Sequence, residues 1–129
     1  MLAPSLDDFD RFARAAWAEL PQAFRQLASE IVFRVEDFAD DEVLAEMGIE
    51  DAWALTGLYH GVDLTQASIM DPLPAAPMVI LFRRAILEEW IERGDVSLAH
   101  LISHVLVHEV GHHFGLSDEQ MDALLEQAD

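Results

Sequence analysis

The sequence contains no cysteine. This absence excludes disulfide bonds, thiolate nucleophiles and every class of zinc site that depends on sulfur ligands. A metal site in this chain must therefore be built from imidazole nitrogens and carboxylate oxygens. A cysteine-free chain also suits a reducing compartment, so we expect a cytoplasmic protein.

Lysine is also absent, and the seven basic residues are all arginines, set against 25 acidic residues for a net charge of −18. Such a surface repels phosphate backbones and anionic lipids, so we expect neither a nucleic-acid partner nor a membrane partner. The first residues, MLAPSLDDFDRF, lack the basic and apolar regions of a secretory signal. The longest uninterrupted apolar run, Ala75–Phe82, is too short to span a bilayer.

Hydrophobic residues make up 52% of the 129 residues, which is sufficient for one core, and we expect a single domain over residues 1–129. The apolar patterns predict an α+β fold with a small sheet of about three strands and about five helices. The proline-rich segment Asp71–Pro77 is predicted to be a loop. The predicted strands are Ile31–Glu36, Ala54–Tyr59 and a covered, central Met78–Phe82.

Residues that begin and end helices mark the remaining elements. Ser5 with Asp8 predicts a capping box for the first helix. The other predicted helices are a short one from Pro21 to about Ala28, one capped by Asp40 or Asp41 that reaches Met47, Arg84–Arg93 ended by Gly94, one capped by Asp95 that reaches about His113, and a last one capped by Ser117.

The predicted helix that reaches His113 carries His108 and His112, four residues apart. This spacing places both imidazoles on one helix face, where their ring nitrogens can bind one metal ion. Glu109 projects beside them and can hydrogen-bond a metal-bound water without being a ligand. Because a metal lowers the pKa of bound water to about 7, Glu109 is predicted to act as the general base.

A catalytic zinc site of this type needs a third protein ligand. Gly115 follows the second histidine and permits the left-handed conformation that turns the chain back toward the metal. Asp118 lies three residues further on and is our choice for the third ligand. Glu119 and Glu126 are the alternatives.

Other polar residues near this motif are candidates for lesser roles. His100 and His104 continue the four-residue spacing backwards and are candidate ligands or supporting partners, although such residues more often lie on a helix flank, and His108 and His112 already fill the site. His113 points about 100° away from His112 around the helix and is not expected to be a ligand. Tyr59, the only tyrosine, is a candidate to support an oxyanion or contact the substrate, against a simple packing role.

The segment HEVGHHFGLSDE resembles the signature of small bacterial zincin-like proteins described as predicted zinc metallopeptidases. Two upstream segments are similar to the same family, GLYHGVDLT at 57–65 and MVILFRRAILEE at 78–89. The resemblance implies a minimal zincin fold with a mixed sheet, zinc held by His108, His112 and Asp118, and Glu109 as the catalytic acid and base. The glycine-and-acid extension is also similar to that of metzincins, although Met121 comes too early for their methionine turn.

The function that this resemblance implies is zinc-dependent hydrolysis of peptide bonds in a peptide or protein substrate. The alternative is a non-catalytic zinc-binding domain that recognises a peptide or protein partner, since so short a chain has little protein left to form a substrate cleft. A metal-dependent nuclease is a third class, and the net charge of −18 argues against it.

Overall fold

The structure is a computed structural model that describes residues 3–61, residues 77–116 and Glu119. Its helices and strands follow the predicted order closely, and the α+β prediction is confirmed. The elements are α1 (Leu6–Glu19), α2 (Gln22–Leu27), β1 (Val32–Glu36), α3 (Asp41–Met47), a 3₁₀ turn (Ala52–Ala54), β2 (Gly57–His60), β3 (Met78–Phe82), α4 (Arg83–Arg93) and α5 (Leu98–His113).

The three strands form one mixed sheet in the order β1-β3-β2. β1 runs parallel to β3, and β2 runs antiparallel to it, with Tyr59 opposite Val79. The prediction that Met78–Phe82 is the central strand is therefore confirmed. Of the segment Asp71–Pro77, only Pro77 lies within the described residues.

The alternation of side chains along β3 divides the core into two parts. Val79 and Leu81 belong to the larger cluster, which is built mainly by α1 and α5. Ile80 and Phe82 contact a smaller cluster on the opposite face, with Leu44 of α3. Successive strand residues point to opposite faces, so each face of β3 is covered by helices. This arrangement explains why the MVILF sequence is apolar throughout.

The association of α1 with α5 is the main helix-to-helix packing in the larger cluster. Phe9 of α1 is fully buried there, as are Ile102 and Leu106 of α5. Burying a side chain of this size stabilises the fold by about 1.5–3 kcal/mol. α5, the helix of the histidine motif, is therefore fixed by core contacts along much of its length.

Side-chain caps begin the helices largely as predicted. Ser5 and Asp8 form the predicted capping box of α1, and the hydrogen bond that Asp8 accepts from the Ser5 backbone N–H lowers the pKa of its carboxyl. Asp40 caps α3 through Val43 N, and Gly48 ends that helix in the left-handed conformation. These predictions are confirmed. The sequence was sufficient for them because a helix cap depends only on residues close together in the chain.

Two predicted boundaries are wrong. The cap of α5 is Ser97, whose hydroxyl accepts from His100 N at 3.1 Å, and not Asp95. The strand predicted over Ala54–Tyr59 begins only at Gly57, since a 3₁₀ turn capped by Asp51 occupies the residues before it. The helix predicted after Ser117 lies outside the described residues. None of the described helices is long and apolar enough to cross a membrane.

Candidate metal centre

The histidines of the motif lie on the last two turns of α5. The rings of His108 and His112 have their centroids 5.1 Å apart and their planes 85° apart. The four-residue spacing therefore places the two imidazoles next to each other, as one metal ion with two histidine ligands requires. Both residues are half-buried, so core packing fixes their backbone while the rings remain accessible.

Glu109 completes a cluster of three potential ligand groups. One ligand atom from each of His108, Glu109 and His112 lies within 4.8 Å of the other two. Glu109 Oε1 is 3.8 Å from His112 Nε2. Two imidazoles and a carboxylate are donors that zinc accepts, so this cluster is compatible with zinc binding. In the part of the chain that the structure describes, it is the one such group of three or more residues.

The backbone of β2 at Gly57 supports the Glu109 side chain from one side. A Cβ atom on Gly57 would lie 2.8 Å from Val105 Cγ1, closer than real Cβ atoms come, and 3.0 Å from Glu109 Cγ, which is tighter than most real Cβ contacts. Only 11% of the Glu109 side chain is exposed, against 39% of the His112 side chain. Glycine at this position therefore lets α5 approach β2 closely and holds the carboxylate against the strand.

A family model described as "zincin-like metallopeptidase" matches residues 28–128, which is most of the chain. This chain belongs to the zincin-like metallopeptidase family. The membership confirms the resemblance seen in the sequence, and the matched range includes the whole sheet and α5. A search of curated proteins finds no match to the chain.

The third zinc ligand of this zincin-like chain stays a prediction. Asp118, our choice, and the alternative Glu126 both lie outside the described residues. Glu119 is described and is exposed. Gly115 has a φ of 72°, the left-handed conformation expected where the chain turns after the helix.

The remaining histidines of α5 occupy different surroundings. His100 is exposed and His104 is half-buried, and neither belongs to the three-residue cluster. His113 is only 1% exposed, and its ring lies beside Tyr59 of β2. It does not belong to the three-residue cluster.

The hydroxyl of Tyr59 lies 2.8 Å from His113 Nδ1, which makes a hydrogen bond between β2 and α5. The two rings meet edge to face, with centroids 5.7 Å apart. Sequence reasoning considered both residues but missed this pairing, because 54 positions separate them along the chain. It likewise missed Gly57, although a glycine inside a predicted strand is a recognised sign of close backbone approach.

Proposed function

We propose that the chain is a cytoplasmic zinc-dependent hydrolase that cleaves peptide bonds, with Glu109 as the general base. The observation that carries the proposal is the cluster of His108, Glu109 and His112, whose ligand atoms lie within 4.8 Å of one another. Membership of a metallopeptidase family supports peptides as the substrate class.

In this proposal, His108 and His112 hold zinc through their ring nitrogens, and Asp118 is the third ligand. Zinc, when bound, supplies a Lewis acid that makes a water acidic and polarises the carbonyl under attack. The Glu109 carboxylate takes a proton from the attacking water and delivers it to the leaving amine. Its contact with Gly57 keeps the carboxylate in one orientation, which favours proton transfer along a fixed path.

We propose β2 as the binding site for an extended peptide. Among the described strands, β2 pairs only with β3, so its second edge faces away from the sheet. Backbone groups on such an edge can hydrogen-bond a peptide as an added strand. Gly57 of β2 lies against Glu109, so a peptide on this edge would pass close to the general base.

The test is zinc content and peptide hydrolysis measured on the same protein samples. We expect Glu109→Gln to retain zinc but lose about 100-fold or more in kcat, because a general base contributes this much. His108→Ala should lose both zinc and hydrolysis. His100→Ala is the matched control, since it removes an exposed histidine of the same helix outside the cluster, and it should retain both.

Each departure from this pattern has a defined meaning. Full activity in Glu109→Gln would contradict the general-base role. Zinc-loaded wild-type protein that cleaves nothing in a broad peptide library, yet retains some of its peptides, would contradict the hydrolase and support the non-catalytic zinc-binding alternative. Absence of zinc from wild-type protein prepared without chelators would overturn the metal assignment itself.

A further inference from the structure

Two contacts join β2 to α5, and their spacing is the same on both elements. Gly57 lies against Glu109, and the Tyr59 hydroxyl is hydrogen-bonded to His113 Nδ1 at 2.8 Å. Two strand residues span about 6.7 Å and four helical residues span about 6 Å. β2 therefore lies along α5 with the second contact one helical turn beyond the first.

The first contact involves the carboxylate of Glu109 as well as its carbon chain. A Cβ atom added to Gly57 would lie 3.3 Å from Glu109 Oε2 and 3.0 Å from its Cγ. Only 11% of the Glu109 side chain is exposed, so the carboxylate has little room to move away from the strand. A small displacement of β2 relative to α5 would therefore displace this carboxylate.

The second contact is enclosed between the two elements. His113 is 1% exposed, and its ring meets the Tyr59 ring edge to face at a centroid distance of 5.7 Å. A Cβ atom added to Gly61 would lie 3.0 Å from the Tyr59 hydroxyl oxygen, so glycine leaves the space that the phenol occupies. Tyr59 also packs against the larger core cluster, and its hydrogen bond is a fixed point between β2 and α5.

The ladder with β3 makes β2 stiff between these two contacts. Tyr59 is paired with Val79, and Gly57 is paired with Leu81. Both β3 residues are buried in the larger cluster, which fixes β3 in turn. Because a strand held in this way shifts as a unit, the position of Tyr59 sets the position of Gly57.

We propose that His113 is a positioning residue for Glu109, the proposed general base. Its hydrogen bond to Tyr59 sets how β2 lies along α5, and β2 sets the place of the Glu109 carboxylate through Gly57. This gives Tyr59 a role that does not depend on contact with the substrate. The consequence for catalysis rests on the proposed hydrolase function, whereas the positioning of Glu109 does not.

Two substitutions remove the hydrogen bond, and a third keeps it. Tyr59→Phe removes only the hydroxyl, and His113→Phe replaces the imidazole with another aromatic ring. His113→Asn retains a group near the place of Nδ1 that can donate or accept, but it leaves a cavity at a buried site. His113→Asn should therefore be at least as unstable as the other two variants, although it alone retains the hydrogen bond.

The contact between Gly57 and Glu109 can be measured without any activity. In the full chain with zinc added, the nuclear Overhauser effect between the Gly57 Hα protons and the Glu109 side-chain protons reports their separation. We expect a strong effect in the wild-type protein and in His113→Asn, and a clearly weaker one in Tyr59→Phe and His113→Phe. An unchanged effect in both phenylalanine variants would overturn the proposal.

Peptide hydrolysis tests the consequence for catalysis. We expect Tyr59→Phe and His113→Phe each to lower kcat by about tenfold with KM and zinc content retained, since a misplacement of about 1 Å costs about 100-fold and this one is smaller. The double variant should be no worse than either single one, because both remove the same hydrogen bond. His113→Asn should keep most of the wild-type kcat.

Phe24→Leu is the control for lost packing at the same end of α5. Phe24 meets Phe114 edge to face at 5.3 Å, so this variant loses stability while both contacts of β2 remain, and its kcat should be unchanged. A kcat that follows stability through all the variants, with His113→Asn among the lowest, would overturn the proposal. If the wild-type protein hydrolyses no peptide, the proposed function fails, while the nuclear Overhauser effects still decide whether His113 positions Glu109.

Discussion

The proposed hydrolase function depends on the position of a single carboxylate, that of Glu109. Glu109 is the least exposed residue of the cluster, and its Cγ lies close to the backbone of Gly57. A backbone contact leaves little freedom for repacking, because a strand in a sheet moves less readily than a side chain changes rotamer. Gly57 is thus the residue that connects the sheet to the proposed general base.

Gly57→Ala should lower kcat by about 100-fold, with zinc content retained. The new methyl group would lie 3.0 Å from Glu109 Cγ, and an error of about 1 Å in the position of a catalytic group costs a factor of this size. The nearest atoms to the added methyl group belong to Val105 and Glu109, and not to His108 or His112, so metal binding should persist. Steady-state hydrolysis and zinc analysis on the same sample measure the two effects separately.

Gly48→Ala is the matched control for this change. It also replaces a glycine, at a φ of 68°, but no atom lies within 4 Å of the added methyl group. It should cost about 1 kcal/mol of stability through backbone strain, with kcat unchanged in the folded protein.

The closest contact of the Gly57 methyl is with Val105, so the double variant Gly57→Ala, Val105→Ala should regain stability relative to Gly57→Ala but should not regain activity. Recovery of both stability and activity in the double variant would mean that Gly57→Ala does not act by displacing Glu109.

Among single residues, the sequence identifies those that local helical spacing brings together. His108, Glu109 and His112 could be identified because a helix brings positions four apart together. The support of Glu109 by Gly57 depends on which strand lies over α5, and the order β1-β3-β2 cannot be obtained from spacing. The pairing of Tyr59 with His113 was hidden for the same reason.

The beginning of α5 shows how a choice between neighbouring caps is made at the scale of an element. Asp95 and Ser97 are both good N-cap residues, and the sequence alone favoured the first. Gly94 ends α4 in the left-handed conformation, so the chain is still turning at Asp95. Ser97 has the extended backbone of an N-cap residue, with φ −74° and ψ 152°, and α5 starts directly after it.

Ser97→Ala should therefore destabilise the protein by about 1 kcal/mol, because the His100 N–H loses its acceptor at the helix end. Asp95→Ala is the matched control and should change the free energy of unfolding by less than about 0.5 kcal/mol. Urea unfolding of both variants measures the difference. Equal losses would mean that the helix begins at Asp95 after all.

The strands show the same division between local and distant causes. Met78–Phe82 was predicted well because an apolar run can be satisfied only by burial on both sides. Ala54–Tyr59 was predicted to be a strand, yet Asp51 accepts from Trp53 N at 3.0 Å and starts a 3₁₀ turn in its place. The turn ends at Ala54, and β2 begins at Gly57, the residue that lies against Glu109.

At the scale of the whole molecule, the net charge of −18 complicates any measurement of metal binding. A strongly acidic surface attracts every divalent cation. Cations that screen it weaken the repulsion among its carboxylates, and this stabilises the folded protein without any specific site. A rise in stability on adding zinc is therefore insufficient evidence for the site. The hard cation magnesium separates the effects, since it screens the surface equally but prefers oxygen ligands to imidazole.

Zinc at about 100 times its Kd should stabilise the wild-type protein by about 2.7 kcal/mol, which corresponds to a rise in Tm on the order of 10 °C. Magnesium at the same concentration should produce only the smaller shift due to screening. His108→Ala should respond to zinc no more than to magnesium, because it lacks one of the two adjacent imidazoles. His100→Ala should respond as the wild type does, since it has the same change in composition on the same helix outside the cluster. A zinc response that survives in His108→Ala would assign the stabilisation to the acidic surface, and the three-residue cluster would then not be the metal centre.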